Sequence, residues 1–323
     1  MAYLLLKTRL ALELPRINAA LEEAEHALPA PVQPVAHHIF SSGGKRIRPL
    51  LLVLTARLLG CKTDEVYHLA VTLEMLHAAT LLHDDVIDCA GTRRGKPSAH
   101  TLFSQTETIL AGDALLARAN AFVADFGNTA LSRCFSEATT ETCAGEILEI
   151  AAQRDPELSL EQYLSIIAGK TAKLISSACE MGALLARGTE QQVAAAADFG
   201  ENIGIAFQLV DDAIDFAETN VTGKPSLGDL REGKLTYPLR CYRESLASEA
   251  RARFDEQFRQ GSFSSEDSAA IGESVRSQGF DRRTRDFADS YLVRAEKALM
   301  DLPQGKERTL LQEMAAFVRE RTK

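Results

Sequence analysis

Apolar residues recur every three to four positions along most of this chain, the spacing that lines one face of an α-helix. Over residues 64–88 the series Val66, Leu69, Leu73, Leu76 and Thr80 keeps that period. It predicts a helix roughly 37 Å long at about 1.5 Å per residue. Residues 106–126, 129–153, 160–187 and 190–216 read the same way. Several of these stretches are apolar nearly all round, as at Leu81 and Leu82 or in the alanines 194–197 before Phe199, and helices of that kind belong inside a bundle. Alternating Val/Ile/Thr runs closed by Asn-Gly or Asp-Gly turns do not occur, so strand signals are almost absent. Breaks fall at 29–34, 41–49, 91–97, 219–238 and 260–268, none long or distinct enough in composition to be an interdomain linker. The expected fold is all-α: one domain over residues 1–323, a large bundle of about a dozen helices around a central cavity.

Charge narrows the function classes. The chain has 36 Lys+Arg against 45 Asp+Glu, a formal net charge of −9, which argues against a nucleic-acid binder because phosphate backbones call for clustered cations. Local basic clusters remain free to hold a small phosphorylated ligand. The six cysteines, Cys61, Cys89, Cys134, Cys143, Cys179 and Cys241, form no C-x-x-C pair and read as buried thiols of the core in a reducing compartment. The leucine patch within residues 1–16 is interrupted by Lys7 and Arg9 and lacks the apolar core of a signal peptide. No run approaches the ~20 apolar residues that span a bilayer. A cytoplasmic protein without a membrane span is expected.

One short motif occurs twice. Residues 83–88 read His-Asp-Asp-Val-Ile-Asp and residues 210–215 read Val-Asp-Asp-Ala-Ile-Asp, each D-D-x-x-D at the C-terminal end of a long apolar helix. The first and last aspartates are four apart, on one face, where like charges repel. They also sit at the helix's negative pole. A solvated acidic helix end explains one copy of such a motif; two copies, each after an apolar run, call for a cation. Mg²⁺ resolves the conflict, since it takes oxygen ligands from one or two carboxylates and from substrate phosphate. Cations accompany the aspartates. Gly43, Gly44, Lys45, Arg46 and Arg48 precede a helix, where glycines allow close backbone approach and the cations can grip phosphate. Arg93 and Arg94 follow the first motif, and Lys224 and Lys234 follow the second. Lys170 and Thr171 fall mid-helix in an apolar stretch, where an unpaired lysine would be costly. His77, on an apolar helix between Leu73 and Leu81, reads alone as a core histidine.

Taken together, GGKRIRP at 43–49, HDDVID with RRG at 83–95, Gly112-Asp113, GKTA at 169–172, FQLVDDAID at 207–215 and DLREGKLTYP at 229–238 resemble the trans-isoprenyl diphosphate synthase family, in particular its bacterial long-chain, octaprenyl-like polyprenyl diphosphate synthases. The motifs run in the family's order from about residue 40 to 240. The resemblance implies head-to-tail condensation: an allylic diphosphate ionises with Mg²⁺ (three ions) held by the two aspartate motifs, the double bond of isopentenyl diphosphate attacks the cation, and a proton is lost. It assigns the metal to Asp84, Asp88, Asp211 and Asp215, with Asp85 and Asp212 supporting. It gives the allylic diphosphate to Arg93, Lys170, Lys224 and Lys234, and isopentenyl diphosphate to Lys45, Arg48, His77 and Arg94. Thr171 and Gln208 would line the reacting carbons. The catalytic set is then Asp84, Asp85, Asp88, Arg93, Lys170, Asp211 and Asp212. The resemblance also implies a homodimer.

In this family the residues one turn before the first aspartate motif cap the product pocket. Ala79 and Thr80 stand there and neither is bulky, while Met75 and Leu76 lie one turn deeper. A product longer than farnesyl is expected, with farnesyl and geranylgeranyl synthases as alternatives. A class I terpene cyclase is disfavoured because the places where such cyclases put Ser or Thr and then Glu hold Asp215 and Thr219. A non-catalytic partner subunit would tend to lose the aspartates, and all six are here.

Overall fold

The computed structural model describes residues 2–217 and 227–321, and it is all-α but for one short hairpin. The elements are α1 (Ala2–His26), α2 (Gln33–Ser41), α3 (Ile47–Leu58), α4 (Glu65–Ile87), β1 (Thr92–Arg93), β2 (Lys96–Pro97), α5 (Ala99–Leu102), α6 (Gln105–Asp125) and α7 (Thr129–Ala152). They continue with α8 (Leu160–Ile167), a π-helical turn (Ala168–Ala172), α9 (Lys173–Leu185), α10 (Glu190–Asp215), α11 (Gly228–Glu232), α12 (Tyr237–Ser245), α13 (Ser248–Gln260), α14 (Ser265–Ser277), α15 (Phe280–Ala298) and α16 (Lys306–Arg319). No helix among the described residues is long and apolar enough to cross a membrane.

The residues fall into two compact units. The first draws on Met1–Thr139, Ser177–Ala197 and Asp301–Leu311, and the second on Thr140–Ser176, Asp198–Met300 and Gln312–Lys323. In the first unit α1, α3 and α6 pack against α4. That helix is buried on almost every side from Val66 to Leu82, as its all-round apolar pattern demands. Helix α6 starts at a capping box in which Ser104 and Glu107 satisfy each other's backbone amides, and this fixes the frame of the helix facing α4. In the second unit Ser159 and Gln162 cap α8 in the same way. There α12 packs against α14 and α15.

Two expectations need correction. The single helix expected over 160–187 is broken by the π turn at Ala168–Ala172. Two glycines account for the break. A Cβ on Gly145 of α7 would fall 2.3 Å from the Lys170 nitrogen, and one on Gly169 would fall 2.9 Å from the Glu141 carbonyl oxygen. The backbones therefore meet where no side chain fits, and the widened turn absorbs the crowding. The near-absence of strand signals holds, since the only strands among the described residues are β1 and β2, a hairpin that pairs Thr92 with Pro97 and Arg93 with Lys96. Its two-residue loop has Arg94 at φ 52° and Gly95 at φ 77°, the positive values that tight antiparallel hairpins require. Finally, only Cys134, Cys179 and Cys241 are buried, whereas Cys89 and Cys143 are exposed and Cys61 is intermediate.

The π turn is also pressed from the other side. A Cβ on Gly204 of α10 would lie 2.4 Å from Ala172 Cα. Gly204→Ala should destabilise the fold by about 1–3 kcal/mol, read as a lower denaturation midpoint in urea. An unchanged midpoint would mean that this contact is looser than described.

Candidate active site

In the first unit α4 ends at Ile87 with Asp88 as its C-cap. Asp85 is fully buried, Asp84 half-buried and Asp88 exposed. A carboxylate buried at a helix's negative end needs a cation, and Arg93 Nε supplies one to Asp85 Oδ1 at 2.6 Å. The hairpin that carries Arg93 is stitched to the glycine loop. Arg94 Nη1 donates to the Gly43 carbonyl, and Lys96 Nζ donates to the Ser41 carbonyl at 2.9 Å. The loop and hairpin thus bring Arg46, Arg48, Arg93 and Arg94 round His77. Burial, and then the charges of Arg48, Arg94, Arg93 and Arg46, hold the His77 imidazole well below its ordinary value, so it is neutral at physiological pH. Burial also lowers the Arg48 and Arg94 guanidiniums, opposed by the Glu74 charge. Lys45 is exposed on the loop. His83 packs on α6, its Nε2 3.1 Å from the Ile109 carbonyl oxygen and 3.4 Å from Asp113 Oδ1. Gly112 leaves it room, since a Cβ there would fall 2.4 Å from Nε2. Met75, Leu76 and Ala79 are buried in α4, and the half-buried Thr80 donates to the His77 carbonyl at 2.9 Å.

In the second unit a cavity of about 120 Å³ is lined by Glu149, Tyr163, Lys170, Thr171, Gln208, Asp212, Asp229 and Lys234, with Leu158, Ile166, Ile167 and Leu235 as its apolar wall. The expected residues Lys170, Thr171, Gln208, Asp212 and Lys234 are brought together here. A polar chain crosses the cavity: Thr171 Oγ1 donates to Gln208 Oε1 at 2.9 Å, Gln208 Nε2 donates to Asp212 Oδ1 at 2.9 Å, and the Tyr163 hydroxyl donates to Asp212 Oδ2. The two lysines are held by carboxylates that sequence reasoning did not single out. Glu149 Oε1 accepts from Lys170 at 2.5 Å and from Lys234 at 3.1 Å, while Glu146 adds 2.7 Å to Lys170 and Glu232 adds 2.8 Å to Lys234. Burial works against the Glu149 charge, but Lys234 and Lys170 outweigh it and hold the carboxyl below the usual range. Burial likewise opposes both ammoniums, and Glu149 foremost overrides it to raise them.

The second aspartate motif gathers more carboxyl groups than the nearby cations balance. Asp211 Oδ1 accepts from Arg321 Nη2 at 2.8 Å, and the same guanidinium lies 4.0 Å from the centre of the Phe207 ring. Asp215 accepts from the Gly228 and Asp229 amides, each at 3.0 Å. Burial pushes Asp212 up to about 7 against the hydrogen bonds from Tyr163 and Gln208. Burial also raises Asp215, and it raises Asp229 together with the charges of Asp212 and Asp215. Asp229 Oδ2 and, in the first unit, Asp85 Oδ2 are buried with no hydrogen-bond partner. Crowded, under-satisfied carboxylate oxygens are the donor chemistry of a hard divalent cation. Among the described residues no three His, Cys, Asp or Glu side chains gather as a metal site by themselves. Lys224 lies outside the described residues.

Glu74, Glu146, Glu149, Tyr163 and Arg321 are partners that motif reading missed, and Asp229 stood in a quoted motif without a role. A signal was present for one pair: Glu146 and Glu149 are like charges three apart on one helix face, an arrangement that asks for cations from elsewhere.

Residues 29–275 match the family described as Polyprenyl synthetase. The chain belongs to the polyprenyl synthetase family. It is 33% identical over 311 residues, 96% of each chain, to heptaprenyl diphosphate synthase component 2 of Geobacillus stearothermophilus. It is 37% identical over 224 residues, 69% of each chain, to octaprenyl diphosphate synthase of Escherichia coli. A solved polyprenyl synthase from Caulobacter crescentus, complexed with calcium and isoprenyl diphosphate, matches at TM-score 0.91 and 33% identity, covering 99% of this chain and 98% of that one. As a polyprenyl synthetase the protein is a trans-polyprenyl diphosphate synthase, a divalent-metal-dependent prenyltransferase.

The shared carboxylate generates a pH test. Because Glu149 is held below its ordinary 4.5 in the fold, its charge stabilises the protein fully above that value and the stabilisation is lost as pH falls through the lower folded value. The melting-temperature gap between wild type and Glu149→Gln should therefore shrink as pH falls below 4.5. A gap that widens on acidification would contradict the pairing with Lys170 and Lys234.

Proposed function

We propose that the protein condenses isopentenyl diphosphate head-to-tail with an allylic diphosphate to make a long trans-polyprenyl diphosphate, octaprenyl-like in length, using Mg²⁺ (three ions). The observation that carries this reading is the surplus of buried, under-satisfied carboxylate at the second aspartate motif, set beside the family membership. Asp84, Asp88, Asp211 and Asp215 would hold the metal, with Asp85 and Asp212 behind them. When bound, the ions neutralise the charge that gathers on the departing diphosphate.

The chain's own side chains do the rest. Arg93, Lys170, Lys224 and Lys234 hold the allylic diphosphate, and ammoniums already in place stabilise the growing charge without rearranging. Lys45, Arg48, His77 and Arg94 hold isopentenyl diphosphate. A neutral His77 gives that anion a hydrogen bond without adding to the repulsion among the arginines. Thr171 Oγ1 and Gln208 Oε1 offer oxygen dipoles that can face a carbocation, and the wall of Leu158, Ile166, Ile167 and Leu235 excludes water from it. Within this reading the two compact units serve one catalytic domain over residues 1–323. The protein works as a cytoplasmic homodimer, and the exposed Ile147, Leu148 and Ile150 on α7 offer an apolar patch that a second copy would cover.

The test is to incubate the purified protein with labelled isopentenyl diphosphate and, in turn, dimethylallyl, geranyl or farnesyl diphosphate, with Mg²⁺ or with EDTA. Products are measured by mass spectrometry before and after phosphatase treatment. A ladder that ends at one long prenyl diphosphate and vanishes with EDTA is expected. Asp84→Ala and Asp211→Ala should each lower turnover by about a thousandfold or more, on the scale of losing a main electrostatic stabiliser. Near-normal rates in either variant would refute the metal assignment.

Product length has its own test. Ala79 is buried and small five positions before Asp84, so Ala79→Phe should shorten the main product by several isoprene units. Identical product lengths in the two proteins would show that Met75, Leu76, Ala79 and Thr80 do not bound the pocket.

A further inference from the structure

Glu74 is buried in α4, one turn before His77, among cations rather than carboxylates. Its Oε1 accepts from Arg46 Nη1 at 2.6 Å. The other arm of that guanidinium, Nη2, donates to the Phe40 carbonyl at 2.8 Å. Arg46 itself is left-handed, at φ 49° and ψ 39°, a conformation that a residue bearing a side chain keeps only when its surroundings hold it. A Cβ on Gly44 would lie 3.1 Å from Arg94 Nη1, 3.5 Å from Arg46 Nη1 and 3.7 Å from Glu74 Oε1. The three charged groups therefore converge on the glycine loop. Glu74 also acts favourably on Arg48 and Arg94, whereas Arg94 presses on Arg48, and Arg93 and Arg46 press on Arg94.

We propose that Glu74 is a positioning residue: the internal counter-charge that pins Arg46, and through it the 43–48 loop, so that Lys45, Arg48 and Arg94 meet a diphosphate at fixed spacing. The proposal rests on the assignment of those three residues to isopentenyl diphosphate. Arg46 is a strut in this arrangement, its guanidinium occupied by Glu74 and Phe40, while its neighbours face the ligand. Sign separates positioning from simple charge. Deleting a negative group beside an anion site should tighten anion binding if Coulomb attraction alone counts. If the carboxylate sets the geometry, binding weakens instead.

The experiment measures KM for isopentenyl diphosphate and for the allylic partner in Glu74→Gln, Arg46→Gln, the double variant and Arg94→Ala, with melting temperatures alongside. In Glu74→Gln the KM for isopentenyl diphosphate should rise about tenfold while that for the allylic diphosphate moves by less than about twofold. Arg46→Gln should do the same, and the double variant should be no worse than either single, because both belong to one interaction. A KM for isopentenyl diphosphate that falls or stays constant in a folded Glu74→Gln protein overturns the proposal, and so does an additive double variant. Should Glu74→Gln fail to fold, Arg46→Gln carries the test, and an unchanged KM there is equally fatal. Arg94→Ala separates the layers. If it raises KM and Glu74→Gln does not, only the role of Glu74 falls. If it leaves KM unchanged, the subsite assignment fails and takes the Glu74 proposal with it.

Discussion

An ionised side chain taken out of water needs an opposite charge beside it, or it gives up its ionisation. The local architecture around both aspartate motifs answers that demand. Around the first motif, Glu74 and Asp85 are the buried anions that anchor Arg46 and Arg93. In the second unit two lysines share Glu149 and take one further carboxylate each. The backbone devices nearby read as supports for these pairs. The tight hairpin turn presents Arg93 to Asp85, and the glycine-lined crossing at Gly145 and Gly169 brings the Lys170 turn against the helix that carries Glu146 and Glu149.

Compensation is deliberately incomplete in one place. Asp212, Asp215 and Asp229 are raised together, and hydrogen bonds from Tyr163, Gln208 and two backbone amides do not bring them back to the ordinary carboxylate range. Apolar residues of similar volume could not simply replace this group, since they would leave the Tyr163 hydroxyl, the Gln208 amide and two backbone amides without their acceptors. Within the proposed function, such a surplus of desolvated oxygen strengthens the attraction to a cation.

The all-α class, the ends of α4, α6, α7 and α10 to within two residues, and the resemblance to the polyprenyl synthetase family were legible in the sequence, because period, composition and motif order are local properties. What was not legible depends on contacts between segments far apart in the chain. The π turn follows from two glycines 24 positions apart meeting backbone to backbone, so helical period ran straight through it. The hairpin is too short for alternation to show, and its loop puts an arginine where Gly or Asn is the usual signal. Lys170 was rightly read as needing a partner, but nothing in the order of residues says that Glu149 serves Lys234 as well. Glu74 hid for the opposite reason: an acid on an apolar helix looks like an interruption until the loop that it restrains is in view.

The shared carboxylate also governs how the second unit meets ionic strength. Surface cations are ordinarily neutralised by mobile ions from solution, which screen them and compete with any arriving polyanion. Here the neutralising charges of Lys170 and Lys234 are tethered to the fold, on Glu146, Glu149 and Glu232. An anion that docks on these ammoniums meets charge already balanced by fixed carboxylates and sets few dissolved counter-ions free. Salt therefore has a weaker grip on this half of the chemistry than a count of its lysines would suggest, and the cavity behaves less like an electrolyte-facing surface than like an ion exchanger with its counter-ions built in.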